Sequence, residues 1–341
     1  LQMNYILKFY SILSSKKKKE FFLVLFLMAI GMLLETLSVG LVIPAINLLL
    51  QFEETNYTYI INFIGIFGSN FSESDYYFIG LSIILIVFTI KVCFMSFLYW
   101  YQFKFTYSLN DVLSQKMYEG YINQPYSYYL KNNSSNVIKN ITNEVSYVTT
   151  VVIISLQVTT DILVFIGVIS LLFYYQPFGA LGASAIIGLP AFFFYLFMRE
   201  KIKQWGAQRE EHEGERIKLI QQGIGGIKEI KVLKRERNFF NSYQYHNLKQ
   251  LTADRDRGFV QQLPKQLLEF FAILGVIFLV IFLLFQNKSA ESIITLLAIF
   301  AAASFRILPS VNRIISGLQL VRYYYPSIDI VYDLLQSFET K

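Results

Sequence analysis

Six long apolar stretches are the feature that most constrains this chain. They lie near residues 21–50, 76–102, 147–175, 178–198, 266–286 and 290–308. A helix needs about 20 apolar residues to cross the hydrocarbon core of a bilayer, and each stretch meets or approaches that length. Charged residues make up only 16 % of the chain, whereas soluble domains carry about a quarter. The sequence therefore predicts an all-α membrane protein with six transmembrane helices.

Lysine and arginine are unevenly divided among the connections between these stretches. The first 20 residues contain five lysines and residues 199–257 contain 14 basic residues, whereas residues 51–75 contain none. Loops rich in positive charge stay on the cytoplasmic side of a membrane. We therefore expect a cytoplasmic N-terminal segment over residues 1–20, a six-helix membrane domain over residues 21–325 and a cytoplasmic C terminus.

The two long cytoplasmic loops, residues 103–146 and 199–257, have the composition of helical hairpins. In the first loop, an arm over 101–121 is followed by a break at Gln124-Pro125, three tyrosines and a helix cap at 132–135. In the second, a solvated arm over 201–218 and an arm beginning at Lys228 flank a glycine cluster at 223–226. Rigid projections of this kind predict a cytoplasmic partner that presses on the two tips.

The outer loop, residues 51–75, contains apolar side chains at 57, 60, 61, 64 and 67. This spacing places them on one face of a helix that is too short to span a membrane. Two interpretations fit this pattern. The segment is either an interfacial helix lying on the outer surface or a loop packed on the ends of the neighbouring spans.

No motif for nucleotide hydrolysis occurs in the sequence. No glycine is followed directly by lysine, so the phosphate-binding loop G-x-x-x-x-G-K-[ST] is absent. Neither histidine, His212 or His246, has a neighbouring cluster of cysteine and histidine, so we expect no metal site. The chain is therefore expected to hold no catalytic residue and to bind no cofactor itself.

Among the ionisable residues within or beside the apolar stretches, we single out five, namely Glu35, Lys91, Lys265, Arg306 and Arg313. Charges inside a membrane are costly and are candidates for function. Helix rise places the four cations toward the inner leaflet, where they would suit a di- or polyanionic headgroup. Snorkelling to the lipid headgroups is the alternative, above all for Lys265 and Arg313. On the same estimate, an ion pair between Lys91 and Glu35 would need a vertical shift of roughly 10 Å.

The six spans, the two hairpins and the missing ATPase motif together resemble the membrane domain of ATP-binding-cassette (ABC) exporters. Residues 121–130 (YINQPYSYYL) resemble the first coupling-helix region of that family, and residues 226–236 (GIKEIKVLKRE) resemble the second. Within the family, the chain is similar to lipid-linked oligosaccharide flippases. That similarity rests on residues 34–44 (LETLSVGLVIP), 263–269 (LPKQLLE) and 306–315 (RILPSVNRII).

The resemblance implies a domain-swapped homodimer of the type IV exporter fold. It implies that residues 326–341 are a linker toward a nucleotide-binding domain, which binds ATP and magnesium and contacts both hairpin tips. The implied contact residues are Pro125, Tyr126, Tyr128, Tyr129, Gly223, Gly226, Lys228 and Glu229.

The cargo implied by the resemblance is a polyprenyl-pyrophosphate-linked oligosaccharide, moved from the inner to the outer leaflet of a bacterial inner membrane. Its pyrophosphate would engage Lys91, Lys265 and Arg306, and the charge argument adds Arg313. Export of another lipid, a peptide or a drug is the alternative within the family. A membrane-anchored scaffold that transports nothing is the alternative outside it.

Overall fold

The computed structural model describes residues 15–41, 73–175, 177–285 and 290–339, and almost all of them are helical. The helices are α1 (Ser15–Gly40), α2 (Glu73–Ile122), α3 (Tyr126–Lys131), α4 (Ser134–Lys139), α5 (Val145–Tyr175), α6 (Pro177–Gly225), α7 (Ile227–Leu233), α8 (Glu236–Phe285) and α9 (Ala290–Glu339). A π-helical segment, Asn140–Glu144, joins α4 to α5. The predicted outer helix and the first 14 residues lie outside the described residues.

Three described helical stretches are long and apolar enough to cross a membrane, namely Ser15–Gly40, Leu81–Ile122 and Ser134–Leu171. They correspond to the first three predicted spans. The other three predicted spans fall within α6, α8 and α9. Their crossing of the membrane stays a prediction.

Helix α1 turns one face toward α2 and α5. Its buried residues Val24, Met28, Gly31, Glu35 and Ser38 recur at helical spacing. Gly31 lets the helices approach closely, because a Cβ there would lie only 3.2 Å from Leu98. Glu35 is on the same face, so its carboxylate lies inside the helical bundle.

The two helical hairpins predicted from the sequence are present. In the first, α2 ends at Ile122, and the side chain of Asn133 caps α4 by accepting a hydrogen bond from the backbone N–H of Ser135. In the second, α6 and α8 pack against each other as the two arms, and the short α7 forms the tip. His212 and His246 meet across this hairpin, with their Nδ1 atoms 3.1 Å apart.

The second hairpin differs from the sequence-based prediction at its tip. Helix α6 continues through Gly223, since a glycine inside a helix costs only about 1 kcal/mol, and the break falls at Gly226. The second arm begins at Glu236 rather than at Lys228, because α7 ends at Lys234 in the left-handed conformation (φ 51°). The carboxylate of Glu236 accepts hydrogen bonds from the backbone N–H of Glu236 and from the ammonium of Lys231, and both lower the pKa of Glu236. A negative charge at this position is favourable because it lies at the N-terminus of α8.

The final turns of α9 occupy the residues expected to form a linker, and they pack against the first hairpin. Ile328 and Val331 are buried there. The ring of Phe338 lies against Gly120 and meets the ring of Tyr121 edge-on, with centroids 5.0 Å apart. Burial raises the pKa of Tyr121 to about 12. The end of α9 is therefore held at the base of the first tip.

Helices α6 and α9 approach most closely at Gly206. A Cβ at this position would collide with the backbone carbonyl oxygen of Tyr323. A backbone atom within a helix has little freedom to move aside, so the absence of a side chain at Gly206 sets the distance between the two helices.

We expect Gly206→Ala to lower the free energy of unfolding by about 1–3 kcal/mol, because the added methyl group overpacks the α6–α9 contact. The matched control is Gly258→Ala in α8, where a Cβ meets no atom within 4 Å. That change should stabilise the helix by up to about 1 kcal/mol. The thermal midpoints of both variants in detergent test this, and shifts in the same direction would contradict it.

Candidate functional site

The predicted cation Lys91 forms an ion pair with Glu35. Its Nζ lies 2.6 Å from Oε1 of Glu35, and the two side chains are 16 % and 2 % exposed. The expectation that these residues lie at different depths is therefore wrong. Each depth was estimated from the end of the apolar stretch that contains the residue. The helices extend beyond those ends, since α1 begins at Ser15 and α2 at Glu73, so the two ends do not lie at the same depth in the membrane. The pair joins α1 to α2.

Arg313 is held by a carboxylate that sequence reasoning missed. Its Nε and Nη2 donate hydrogen bonds to Asp161 over 2.6–3.0 Å, and this pair joins α9 to α5. Asp161 is 8 % exposed, whereas Arg313 is 47 % exposed. Asp161 is the only ionisable residue apart from tyrosines in residues 145–175. Charged residues inside an apolar stretch are candidates for function, and this criterion, which selected the four cations, also selects Asp161.

A cavity of about 470 Å³ lies beside this second ion pair, between α2, α5 and α9. It is lined by Tyr99, Phe103, Ile154, Gln157, Val158, Asp161, Arg313, Ser316, Gly317 and Leu320. Its volume is within the range of small-molecule sites, and its walls combine apolar side chains with a few polar groups. The charge of Glu35 also acts on Arg313.

Lys265 lies elsewhere, in a groove of about 610 Å³ between α8 and α9. Glu269 lines the same groove, together with Ser304 and Asn312. The Ser304 hydroxyl and the Asn312 side-chain oxygen are buried there without a hydrogen-bond partner among the described residues. Arg306 belongs to α9, but its side chain lies outside the described part of the chain. The structure thus places Arg313 beside the cavity between α2, α5 and α9, and Lys265 in a separate groove. Lys91 pairs with Glu35 between α1 and α2.

The first hairpin presents an aromatic side chain at its tip. Tyr126, which follows Pro125, is 77 % exposed. Tyr128 and Tyr129 turn inward instead, where the Tyr129 hydroxyl donates to the backbone carbonyl of Tyr121 and the rings of Tyr121 and Tyr128 are 6.1 Å apart. Two of the predicted contact residues therefore support the tip, and Tyr126 projects from it.

The second tip is formed by α7. Ile230 is buried and anchors the short helix, whereas Val232 and Leu233 are exposed. The predicted contact residues Lys228 and Glu229 are exposed on the same helix. The tip therefore offers apolar and charged side chains to a partner.

An ion-pair network connects the first hairpin to α6. The Nζ of Lys139 lies 2.5 Å from Oε1 of Glu210 and 3.3 Å from Oε1 of Glu144, which is fully buried in the π-helical segment. Nearer the tips, the Ser134 hydroxyl donates to the side chain of Gln221 over 3.5 Å. Movement at either tip is therefore shared between the hairpins.

The arm over 201–218 does not have the fully solvated character expected from the sequence, because Arg209 is only 1 % exposed. Its guanidinium donates to Oε2 of Glu213 over 3.3 Å and to the Ser327 hydroxyl over 3.2 Å. The guanidinium also lies over the rings of Tyr147 and Tyr324, at 4.1 and 5.1 Å from their centroids. Arg209 thus joins α6 to α5 and α9, an arrangement called the Arg209 junction below.

Electrostatics favour the charged form of the buried arginine. Burial opposes the charge, but the carboxylates of Glu144 and Glu213 outweigh it and raise the pKa of Arg209. Glu213 in turn accepts hydrogen bonds from Asn143 and from the Tyr147 hydroxyl, over 2.9 and 2.8 Å. Sequence spacing indicates the i,i+4 pair of Arg209 with Glu213 but gives no sign that it is buried.

We expect Arg209→Met to destabilise the protein by about 3–5 kcal/mol, because the two carboxylates stay buried without their cation. Adding Glu213→Gln should restore part of that loss. Arg255→Ala, which removes an exposed arginine of the same hairpin, should change stability by less than about 0.5 kcal/mol. Thermal midpoints in detergent measure all three, and no recovery in the double variant would contradict the electrostatic explanation.

The arrangement of long helices with two helical hairpins agrees with the comparison to known families. The family model described as ABC transporter transmembrane region matches residues 56–307 of the chain. The chain therefore belongs to the ABC transporter transmembrane family. In ABC transporters this domain pairs with a nucleotide-binding domain, and the apolar helices fit a protein that crosses the membrane several times.

Proposed function

We propose that this chain is the membrane domain of an ATP-driven flippase for a polyprenyl-pyrophosphate-linked oligosaccharide. The observation that carries the proposal is the half-exposed guanidinium of Arg313 beside a cavity between three helices. A guanidinium binds phosphate oxygens through paired hydrogen bonds, and does so more strongly away from bulk water. The motif resemblance at 34–44, 263–269 and 306–315 supports the same cargo.

The working unit in this proposal is a domain-swapped homodimer in a bacterial inner membrane. The sequence contains no phosphate-binding loop, so no residue of this chain is assigned to ATP or magnesium. Both belong to the nucleotide-binding domain, reached from the C-terminal end of α9, and only the complete assembly hydrolyses ATP. This chain contributes the cargo cavity and the two tips.

The described contacts provide a route from the tips to the cavity. The second tip continues directly into α6, and α6 is joined to α9 at the Arg209 junction. Helix α9 also carries Arg313, which lies four residues before the Gly317 of the cavity wall. A push on the second tip would therefore reach the wall of the cavity along α6, through the Arg209 junction and then along α9.

Export of a different lipid, a peptide or a drug is the second candidate, and one observation favours it. Lys91 and Arg313 already have carboxylate partners, so each pair has no net charge. A cargo without negative charge would leave both pairs intact. The binding affinity of such a cargo would not change when the remaining predicted cations, Lys265 and Arg306, are neutralised.

The test is binding of a polyprenyl-pyrophosphate oligosaccharide to the assembled transporter, measured by native mass spectrometry. We expect the same lipid without its pyrophosphate to bind at least roughly tenfold more weakly, because charge-assisted hydrogen bonds are lost. The double variant Lys265→Gln/Arg306→Gln should weaken binding of the pyrophosphate lipid to a similar extent.

Arg255→Gln is the matched control, because it removes one positive charge from the exposed surface of the second hairpin. It should leave binding unchanged. Equal affinity for the two lipids in the wild-type protein would refute the proposed cargo and favour the second candidate.

The exposed tips give a separate prediction. Tyr126→Ala/Val232→Ala should reduce ATP-driven transport by roughly tenfold or more, because exposed apolar side chains at an interface centre often dominate binding. The control Tyr118→Ala removes an exposed tyrosine from the arm α2 and should have little effect. Transport by both variants is measured in vesicles, and their thermal midpoints show whether each variant is folded. Full transport by the tip variant would show that the nucleotide-binding domain presses elsewhere.

A further inference from the structure

We propose that Asp161 is a positioning residue that presents Arg313 to the phosphate of a lipid headgroup in the cavity between α2, α5 and α9. This inference rests on the proposed function and adds to it the subsite, its neutral polar groups and the division of labour between the two ion pairs. The headgroup class is a phosphate ester or pyrophosphate.

The two ion pairs differ in how much of the cation remains accessible. Lys91 is 16 % exposed, and its single nitrogen lies against the carboxylate of Glu35. Arg313 is 47 % exposed and has three nitrogens. A lysine offers one point of charge, whereas an arginine presents a planar fork with more than one edge. Lys91 therefore suits a structural pair, and Arg313 suits a ligand contact.

The bonds of Asp161 leave one edge of the guanidinium available. Both carboxylate oxygens accept from Nε, and Oδ1 also accepts from Nη2. Nη2 lies 3.5 Å from the Ser310 hydroxyl. Nη1 makes no hydrogen bond with any residue that the structure describes. The arginine is thus fixed on one side by a buried carboxylate and retains donors on the other.

Fixing the arginine reduces the entropy lost when it binds a ligand. A free arginine side chain loses about 2 kcal/mol of rotamer entropy when it is ordered, and an orienting carboxylate removes part of this cost beforehand. The negative charge of Asp161 opposes a phosphate at the same time. Since Asp161 faces the Nε edge, the ligand would bind at the opposite edge, on the side of the guanidinium away from the carboxylate.

The cavity provides neutral groups for the rest of a phosphate. Tyr99 and Gln157 line it beside Arg313, and they supply a phenolic hydroxyl and an amide. Phe103, Ile154 and Leu320 line the remainder, which suits the first isoprenoid or acyl carbons of a lipid. Glu35 acts on Arg313 from the other ion pair. The subsite therefore combines one oriented cation, neutral polar groups and an apolar wall.

The test measures binding of two probes to the assembled transporter by native mass spectrometry: the polyprenyl-pyrophosphate oligosaccharide, and phosphatidic acid in nanodiscs of phosphatidylcholine. Arg313→Gln should weaken the binding of the pyrophosphate lipid by roughly tenfold. Arg313→Lys should recover only part of this, because lysine lacks the fork. Arg255→Gln, the matched control at an exposed arginine of the second hairpin, should leave the affinity within about twofold.

A double-mutant cycle separates positioning from a merely structural role. Asp161→Asn should weaken binding by roughly threefold or more in the wild-type background, and it should have no further effect in Arg313→Gln. Equal weakening in both backgrounds would show that Asp161 does not act through Arg313. Tighter binding by Asp161→Asn would show that the carboxylate competes with the ligand. Either result overturns the proposal, as does an Arg255→Gln effect as large as that of Arg313→Gln.

The outcomes also separate this inference from the proposed function. If the wild-type protein binds the pyrophosphate lipid more tightly than the same lipid without its pyrophosphate, and Arg313→Gln does not weaken that binding, the Asp161 subsite is wrong. The proposed cargo then rests on the motif resemblance without support from Arg313. If phosphatidic acid binding depends on Arg313 and Asp161 while the oligosaccharide lipid does not bind, the subsite stands and the cargo is wrong. If neither probe depends on Arg313, the subsite is refuted.

Discussion

A single buried arginine organises the part of this protein where the second hairpin meets α5 and α9. Arg209 belongs to α6, and its guanidinium contacts side chains of α5 and α9. A cation in such a place is tolerable only because two carboxylates and a set of aromatic rings surround it. Those partners fix the three helices in one arrangement, since any sliding would leave buried charge without compensation.

The close approach of α6 and α9 follows from the same constraint. The guanidinium reaches Ser327 only because Gly206, one turn earlier on α6, lets the helix lie against the backbone of Tyr323. Tyr323 then donates to Asp254 on α8 over 2.8 Å, which brings the other arm of the second hairpin into contact with α9. Burial and Asp254 raise the pKa of Tyr323, so its hydroxyl stays a donor.

The sequence predicts the helical architecture and the two hairpins because hydrophobic length, proline and capping residues are local signals. The break before Tyr126 and the cap at Asn133 are of this kind. The partners of Arg209, Lys91 and Arg313 could not be predicted equally well, because each contact joins helices whose relative height depends on the packing of the whole bundle. Asp161 is the exception: its isolation in an apolar helix is visible in the sequence.

The π-helical segment between α4 and α5 fixes an angle as well as a connection. Each residue of an α-helix advances the direction of its side chain by about 100°, and a wider turn absorbs additional residues without breaking the helix. The number of residues in Asn140–Glu144 therefore sets how far the side chains of the first tip are rotated about the helix axis relative to the side chains of α5. Shortening this segment by one residue would leave both ends helical while turning the tip away from the surface that it now presents.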